Sequence, residues 1–454
     1  MDGFPIMGVP NSGDTAWMLA SSALVLLMTP GLAFFYGGMV RARGVLNMIM
    51  MSISAMGLVT VLWVLYGFSM SFGNDTSNLF GNPAQFFGLK GMFTAVNGAA
   101  AVAAVPASGS VAAVAAVPEV DIPLFGTIPA LVFVMFQLMF AIITVALVSG
   151  AVADRLKFSS WLVFAGLWAT VVYFPVAHWV FDFDVKDAAG KVIHHGGWIA
   201  NKLNAIDFAG GTAVHINSGA AGLALCIVLG KRKGWPTTKM RPHNLPFVML
   251  GAGLLWFGWY GFNAGSALSA NASAAETFTT TTIATAAAML SWLLVERIRD
   301  GHATTLGAAS GIVAGLVAIT PSCSSVNVVG ALAIGLIGGA VCALAVGLKF
   351  KLGFDDALDV VGVHMIGGLT GTLLIGLFAT DEAPAAVKGL FYGGGWAQLE
   401  KQAVGAFSVL AYSFTATLIL ALIIKYTIGL RLNEEDEASG IDESQHAETA
   451  YELV

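Results

Sequence analysis

Apolar runs near membrane length follow one another along the whole chain, separated by stretches that carry charges, Pro or Asn. They fall at about 15–38, 45–72, 127–150, 159–181, 206–229, 245–264, 272–296, 304–320, 327–348, 357–379 and 404–430. Of the 454 residues 57% are hydrophobic and 11% charged. A soluble fold cannot hide so much apolar surface, whereas helices in a bilayer face lipid and satisfy their own backbone groups. The expectation is an all-α polytopic protein, multi-pass in the cell membrane, with eleven transmembrane helices.

The basic residues test that count. With the N-terminus outside and the loops alternating, fourteen Lys and Arg fall on one side, among them Arg41, Arg155, Arg232 and Arg431, and six on the other. The richer side is read as cytoplasmic, with the C-terminus there. A missed or invented span would scramble this segregation. The net charge of −6 is local: residues 431–454 hold eight acids and one Arg, so they read as an acidic cytoplasmic tail. Residues 1–430 read as the membrane domain. Within it, 1–205 carry spans one to four, 206–402 carry spans five to ten, and 91–126 are an external Ala/Val/Gly-rich insertion cut by Pro106, Pro118 and Pro123. Cys226, Cys323 and Cys342 have no paired spacing, and no metal site, cofactor or nucleic-acid partner is expected. No basic region precedes the first apolar run, which argues against a cleaved signal peptide.

A histidine deep in such a run needs a reason, because ionisable groups in lipid are costly. His215 and His364 are the two that lie there. Asp207, His215 and Gly222 are spaced by eight and then seven residues, and Asp356, His364 and Gly371 repeat that spacing. These are the fifth and tenth runs, equivalent members of two five-helix halves. An odd helix number per half inverts one half against the other, with a final helix left over, and a site is then expected at the repeat interface near mid-membrane. A neutral imidazole pair suits a small polar solute or a proton. Asp207 admits two readings, a helix cap or a cation ligand, and the same ambiguity holds for Asp356 and Asp359.

Six blocks in order, MTPGLAFFYGGMVRARGVLN (28–47), FQLMFAIITVALVSGAVADRLKF (136–158), DFAGGTAVHIN (207–217), WFGWYGFNAGSAL (256–268), LDVVGVHMIGG (358–368) and GLRLNEEDEASGIDESQHAETAY (429–451), resemble the ammonium transporter family, the Amt/Mep/Rh proteins. The resemblance covers nearly the whole chain apart from 91–126. It implies a transporter and not an enzyme, a homotrimer with a hydrophobic pore in each subunit, and ammonium or methylammonium as substrate. His215 and His364 fall on the family's twin pore histidines, and Phe140 and Phe262 on its stacked gate. Phe136, Phe140, Gln137, Ser266 and Asp207 fall around its external recruitment site. Taken singly, Phe140 and Phe262 read as core packing, and block context reverses that. Many relatives carry a Trp three residues after the His of PVAHWVF; here Phe181 stands there and Trp179 two residues earlier. A Phe ring attracts cations less than Trp does. The tail residues Gly429, Leu430, Arg431, Gly440, Asp442 and Tyr451 match the segment that couples subunits and docks PII-type signal proteins. The rival class is an ammonium sensor signalling through that tail. An ion-coupled carrier of organic solutes, the third class, would need a roomier polar site than a Phe-gated histidine pair.

Overall fold

Backbone N–H and C=O groups at membrane depth must find partners within the chain, and helices meet that demand. The computed structural model describes residues 5–104, 115, 116, 118–238 and 240–451. Among the described residues ten helices are long and apolar enough to cross a membrane: α1 (Ser12–Met39), α2 (Ala42–Phe72), α3 (Ala130–Val152), α4 (Phe158–Phe181), α5 (Gly211–Leu229), α6 (Leu245–Ala267), α7 (Ala272–Asp300), α9 (Val328–Leu352), α10 (Val361–Phe378) and α11 (Ala397–Thr427). An eleventh apolar helix, α8 (Thr305–Ile319), has 15 residues. At 1.5 Å per residue that is about 22 Å, short of a hydrocarbon core of about 30 Å.

The sequence reading set this run at 304–320. The structure ends the helix at Ile319 and continues through buried turns, in which Thr320 Oγ1 donates to Leu316 O and Thr280 Oγ1 to Cys323 O, both at 2.7–2.8 Å. Irregular backbone at that depth is tolerated because protein surrounds it.

Small residues set the helix spacing. Gly251 on α6 lies against the backbone of Phe35 on α1, and Gly335 on α9 against that of Ala284 on α7, leaving no space for a Cβ. Helices α3 and α5 are buried nearly all round, while α7 turns Leu290, Leu294 and Ile298 outward. A helix exposing such a stripe needs lipid or a partner against it.

One end of the bundle carries short antiparallel strands. Ile6–Gly8 pairs with Ile122–Phe125, which pairs with Ile128–Pro129, and Val185–Lys186 pairs with Val192–His194. Of the insertion at 91–126, residues 105–114 and 117 lie outside the described residues; Ala99 bridges Val120. No membrane-length helix occurs in the described part of it. At the other end α12 (Glu434–Ser439) and α13 (Ile441–His446) fold under the bundle.

Candidate functional site

The two histidine helices begin alike. Asp207 stands before α5, and its carboxylate accepts four backbone N–H groups, those of Gly210 and Gly211 on Oδ1 and of Thr212 and Ala213 on Oδ2, at 2.7–3.0 Å. Asp356 stands before α10 and accepts from Val360 and Val361 at 3.1 and 2.7 Å. Of the two sequence readings for Asp207, the cap therefore has its geometry here; both oxygens are occupied by N–H donors. Asp359 instead accepts from Lys349 Nζ at 2.6 Å. Both helices open with a widened π turn, Gly211–Ile216 and Val361–Met365, and each turn carries its histidine. Such turns displace one side chain from the regular helical row, and they recur at functional sites.

The helices then come together through glycines four residues beyond each histidine. A Cβ on Gly219 would strike the backbone of Met365, and one on Gly368 would lie 2.8 Å from Gly211 O and 3.1 Å from His215 Cβ. This contact places His215 Nδ1 3.2 Å from His364 Nδ1, with the rings 5.3 Å apart and 25° from parallel. His215 also stacks on Trp259 at 5.4 Å, whose Nε1 donates to Thr320 Oγ1 at 2.8 Å. The Nε2 of His215 is buried with no protein hydrogen-bond partner. It belongs to a ring that, with His364, lines a cavity of about 10 Å³ whose remaining wall is apolar or aromatic side chains including Leu32, Ile143 and Phe262. A buried polar nitrogen left over in such a cavity can bond to a small polar solute passing it.

Phe262 closes that cavity on one side. Its ring stacks on Phe140 at 4.2 Å and 22°, and Phe140 in turn lines a second cavity of about 170 Å³ that opens toward the strand-bearing end. Phe136 packs edge-on to Phe140 at 5.0 Å and is fully buried, behind the cavity wall. Gln137, Phe181, Asp182 and Ser266 share the wall with Phe140. Ser266 Oγ donates to Phe262 O at 2.8 Å, which leaves its lone pairs to accept from a cation. Phe181, 6.2 Å edge-on from Phe140, is the aromatic of its block that lines this cavity; Trp179 points elsewhere, donating to Leu79 O at 2.8 Å and packing on Trp198 and Tyr412.

The tail residues singled out in the sequence all make contacts. Gly429 O accepts from Ser160 Oγ at 2.6 Å, and Leu430 O accepts from Lys157 N at 3.1 Å. Arg431 donates to Leu229 O at the end of α5, at 2.9 Å, and to Glu437 at 2.6 Å. Gly440, at φ +142°, packs on Arg43. Asp442 accepts from the N–H groups of Leu46 and Asn47 at 3.0 and 2.7 Å, and Tyr451 Oη bonds His243 Nε2 at 2.9 Å. Burial pushes the Asp442 carboxyl above its ordinary range, and those two N–H donors oppose the push.

The sequence reading missed Trp259, Gly219, Gly368 and Asp182. Trp259 lies in a quoted block, three residues before Phe262, and the two glycines repeat at the same offset from the two histidines; the one local mark of Asp182 is His178, four residues before it. Among the described residues no group of three or more His, Cys, Asp or Glu is placed to hold a metal ion.

A profile of the Ammonium Transporter Family matches residues 16–451. An ammonium transporter of Mycobacterium tuberculosis (strain H37Rv) is 72% identical over 460 residues, spanning 100% of this chain and 93% of its own length. One of Aquifex aeolicus is 44% identical over 445 residues, spanning 98% and 94%. The crystal structure of Saccharomyces cerevisiae Mep2 superposes with a TM-score of 0.78 at 32% identity, covering 94% of this chain and 88% of that one. A sensor Amt protein superposes at 0.80 with 26% identity, covering 96% and 98%.

Proposed function

The chain belongs to the ammonium transporter family, and from that premise we propose that it moves ammonium-derived nitrogen across the cell membrane through a pore in each subunit. The observation that carries the proposal is the order of groups along one line: an aromatic cavity bearing a hydroxyl, two stacked phenylalanines, then a histidine pair in an apolar passage. External ammonium is recruited where ring faces and Ser266 Oγ attract it, near Phe136, Phe140 and Phe181. The Phe140–Phe262 stack denies water and hydrated ions a path. Ammonium gives up a proton and neutral ammonia passes His215 and His364; the proton either stays on the recruiting side, so that ammonia alkalinises the interior, or crosses separately and carries the current. Potassium, close to ammonium in size, has no proton to give and is excluded by chemistry.

In this reading α8 and the buried turns after it form an eleventh crossing. The N-terminus is outside, the two five-helix halves are inverted, and α11 is added to them. Asp207 acts on recruitment through the start of α5. Residues 1–430 are the membrane domain, assembled as a homotrimer, and 431–454 the cytoplasmic regulatory tail, on which a PII-type protein docks through the segment bearing Gly440, Asp442 and Tyr451.

A second reading is a sensor, which the likeness to a sensor Amt protein and the tail's attachment to the end of α5 through Arg431 favour. Ammonium pulses on proteoliposomes holding the purified protein separate the two, with potassium pulses and an internal pH dye alongside. Transport predicts either a sustained current scaling with protein or an internal alkalinisation. A brief binding transient with neither would defeat transport and leave the sensor.

A further inference from the structure

The cavity wall contains a carboxylate residue that the recruitment reading does not use. Asp182 follows Phe181 at the end of α4 and is 3% exposed. Its Oδ1 lies 2.8 Å from His194 Nε2 and its Oδ2 3.1 Å from His178 Nδ1. The other nitrogen of His178 lies 3.1 Å from Asp75 Oδ1, so Asp75, His178, Asp182 and His194 form one chain of alternating carboxylate and imidazole, buried except at the half-buried Asp75. Three separate segments meet in it: the turn after α2, the end of α4 and the strand Val192–His194.

Backbone contacts lock the same three segments. Asp182 O accepts from Gly197 N and Asn201 Nδ2, both at 2.9 Å; Asp75 N donates to His195 O at 2.8 Å; and His195 N donates to Asn74 Oδ1 at 3.0 Å. Gly196 and Gly197 press on the backbone of Asp182 and His178 with no space for a Cβ. The chain thus grips the helix one turn before and one residue after Phe181. It also fixes the 182–195 hairpin, whose residues Phe183 and Val185 complete the cavity rim.

We propose that Asp182, clasped by His178 and His194, is a positioning residue of the external recruitment site, holding the Phe181 ring and the 182–195 hairpin as walls of the cavity where ammonium is captured. The proposal rests on the transport reading. A Phe ring draws a cation weakly, so its attraction depends on being held face-on at a fixed place. Asp182 carries this control because its two oxygens bridge the two imidazoles, Oδ2 to His178 and Oδ1 to His194. Loosening it lowers capture and leaves the passage past His215 and His364 intact, which raises KM and leaves the maximal rate unchanged.

The test is radiolabelled methylammonium uptake by cells making the full chain, with KM and maximal rate measured separately. We expect Asp182→Ala to raise KM about tenfold with a maximal rate within about twofold of the parent. Asp182→Glu, which keeps a carboxylate, should recover most of that loss. His194→Gln, which keeps an N–H donor, should give a smaller rise. If Asp182→Ala does not accumulate as folded protein, the His194→Gln and Asp182→Glu pair decide by the same split. An unchanged KM, or a fall in maximal rate with KM unaltered, overturns the proposal. Absence of uptake by the parent chain overturns the transport reading instead, so the two failures are distinguishable.

Discussion

Phe140 and Phe262 stand as one stacked pair between two cavities, each ring lining one of them. Phe262→Ala removes the inner ring, leaves a void whose cost is about 3–5 kcal/mol if the site does not collapse, and joins the cavities. We predict that it admits potassium, read as a potassium-evoked current in proteoliposomes that the parent lacks. Phe136→Ala is the control: its ring backs Phe140 from outside the wall, so it should lower thermal stability without a potassium current. A tight Phe262→Ala variant would remove the ring stack as the barrier. These phenylalanines were legible only through their sequence blocks, since an isolated Phe in an apolar run looks like packing. The histidines were legible from physics, because an imidazole in lipid is conspicuous. Trp259 looks like any interfacial aromatic until His215 is seen stacked on it, and Asp182 looks like a loop acid until His178, one turn back, and His194, across the hairpin, are seen to meet on it.

The eight-and-seven spacing that pairs α5 with α10 becomes, in three dimensions, a repeated device of Asp cap, π turn, histidine and glycine. The histidine showed in the sequence, and the acid before it showed with two readings open, a cap or a cation ligand. The π turns did not, because one extra residue per turn leaves no mark on hydrophobic periodicity in a helix apolar on every side. The glycines four residues beyond each histidine were visible as letters, but their use depends on which helix lies across. Gly219→Ala and Gly368→Ala each push a methyl into the facing backbone, at a cost of about 1–3 kcal/mol by overpacking. We predict a lower melting temperature for both, and methylammonium uptake reduced severalfold in the variant that remains folded. Gly253→Ala on α6, where a Cβ meets nothing within 4 Å, should be neutral or slightly stabilising. Equal behaviour of all three would mean that the close approach does not hold the histidine pair.

At the scale of the molecule, the eleven apolar runs of the sequence correspond, among the described residues, to ten helices of spanning length and α8, which stops at Ile319. Hydropathy does not distinguish a short buried helix with buried turns from a full span, since both are apolar from end to end. The distinction is one of parity. If α8 and its following turns cross the bilayer, the loop before α8 and the loop after α9 lie on the same side; if they do not, the two loops lie on opposite sides. Exposed positions report on both sides, Ala303 in the loop before α8 and Lys351 in the last turn of α9, and Ala188 in the hairpin after α4 is exposed as a third. The three native cysteines are buried, so single introduced thiols stand out against a quiet background. Charge segregation predicts that a membrane-impermeant maleimide applied to intact cells labels Ala188→Cys and spares Ala303→Cys and Lys351→Cys, both of which react once the membrane is opened. Labelling of Lys351→Cys alone of that pair would remove the eleventh crossing. Labelling of both with Ala188→Cys spared would keep the count and reverse the orientation, placing the aromatic cavity inside the cell and turning the recruitment proposal around with it.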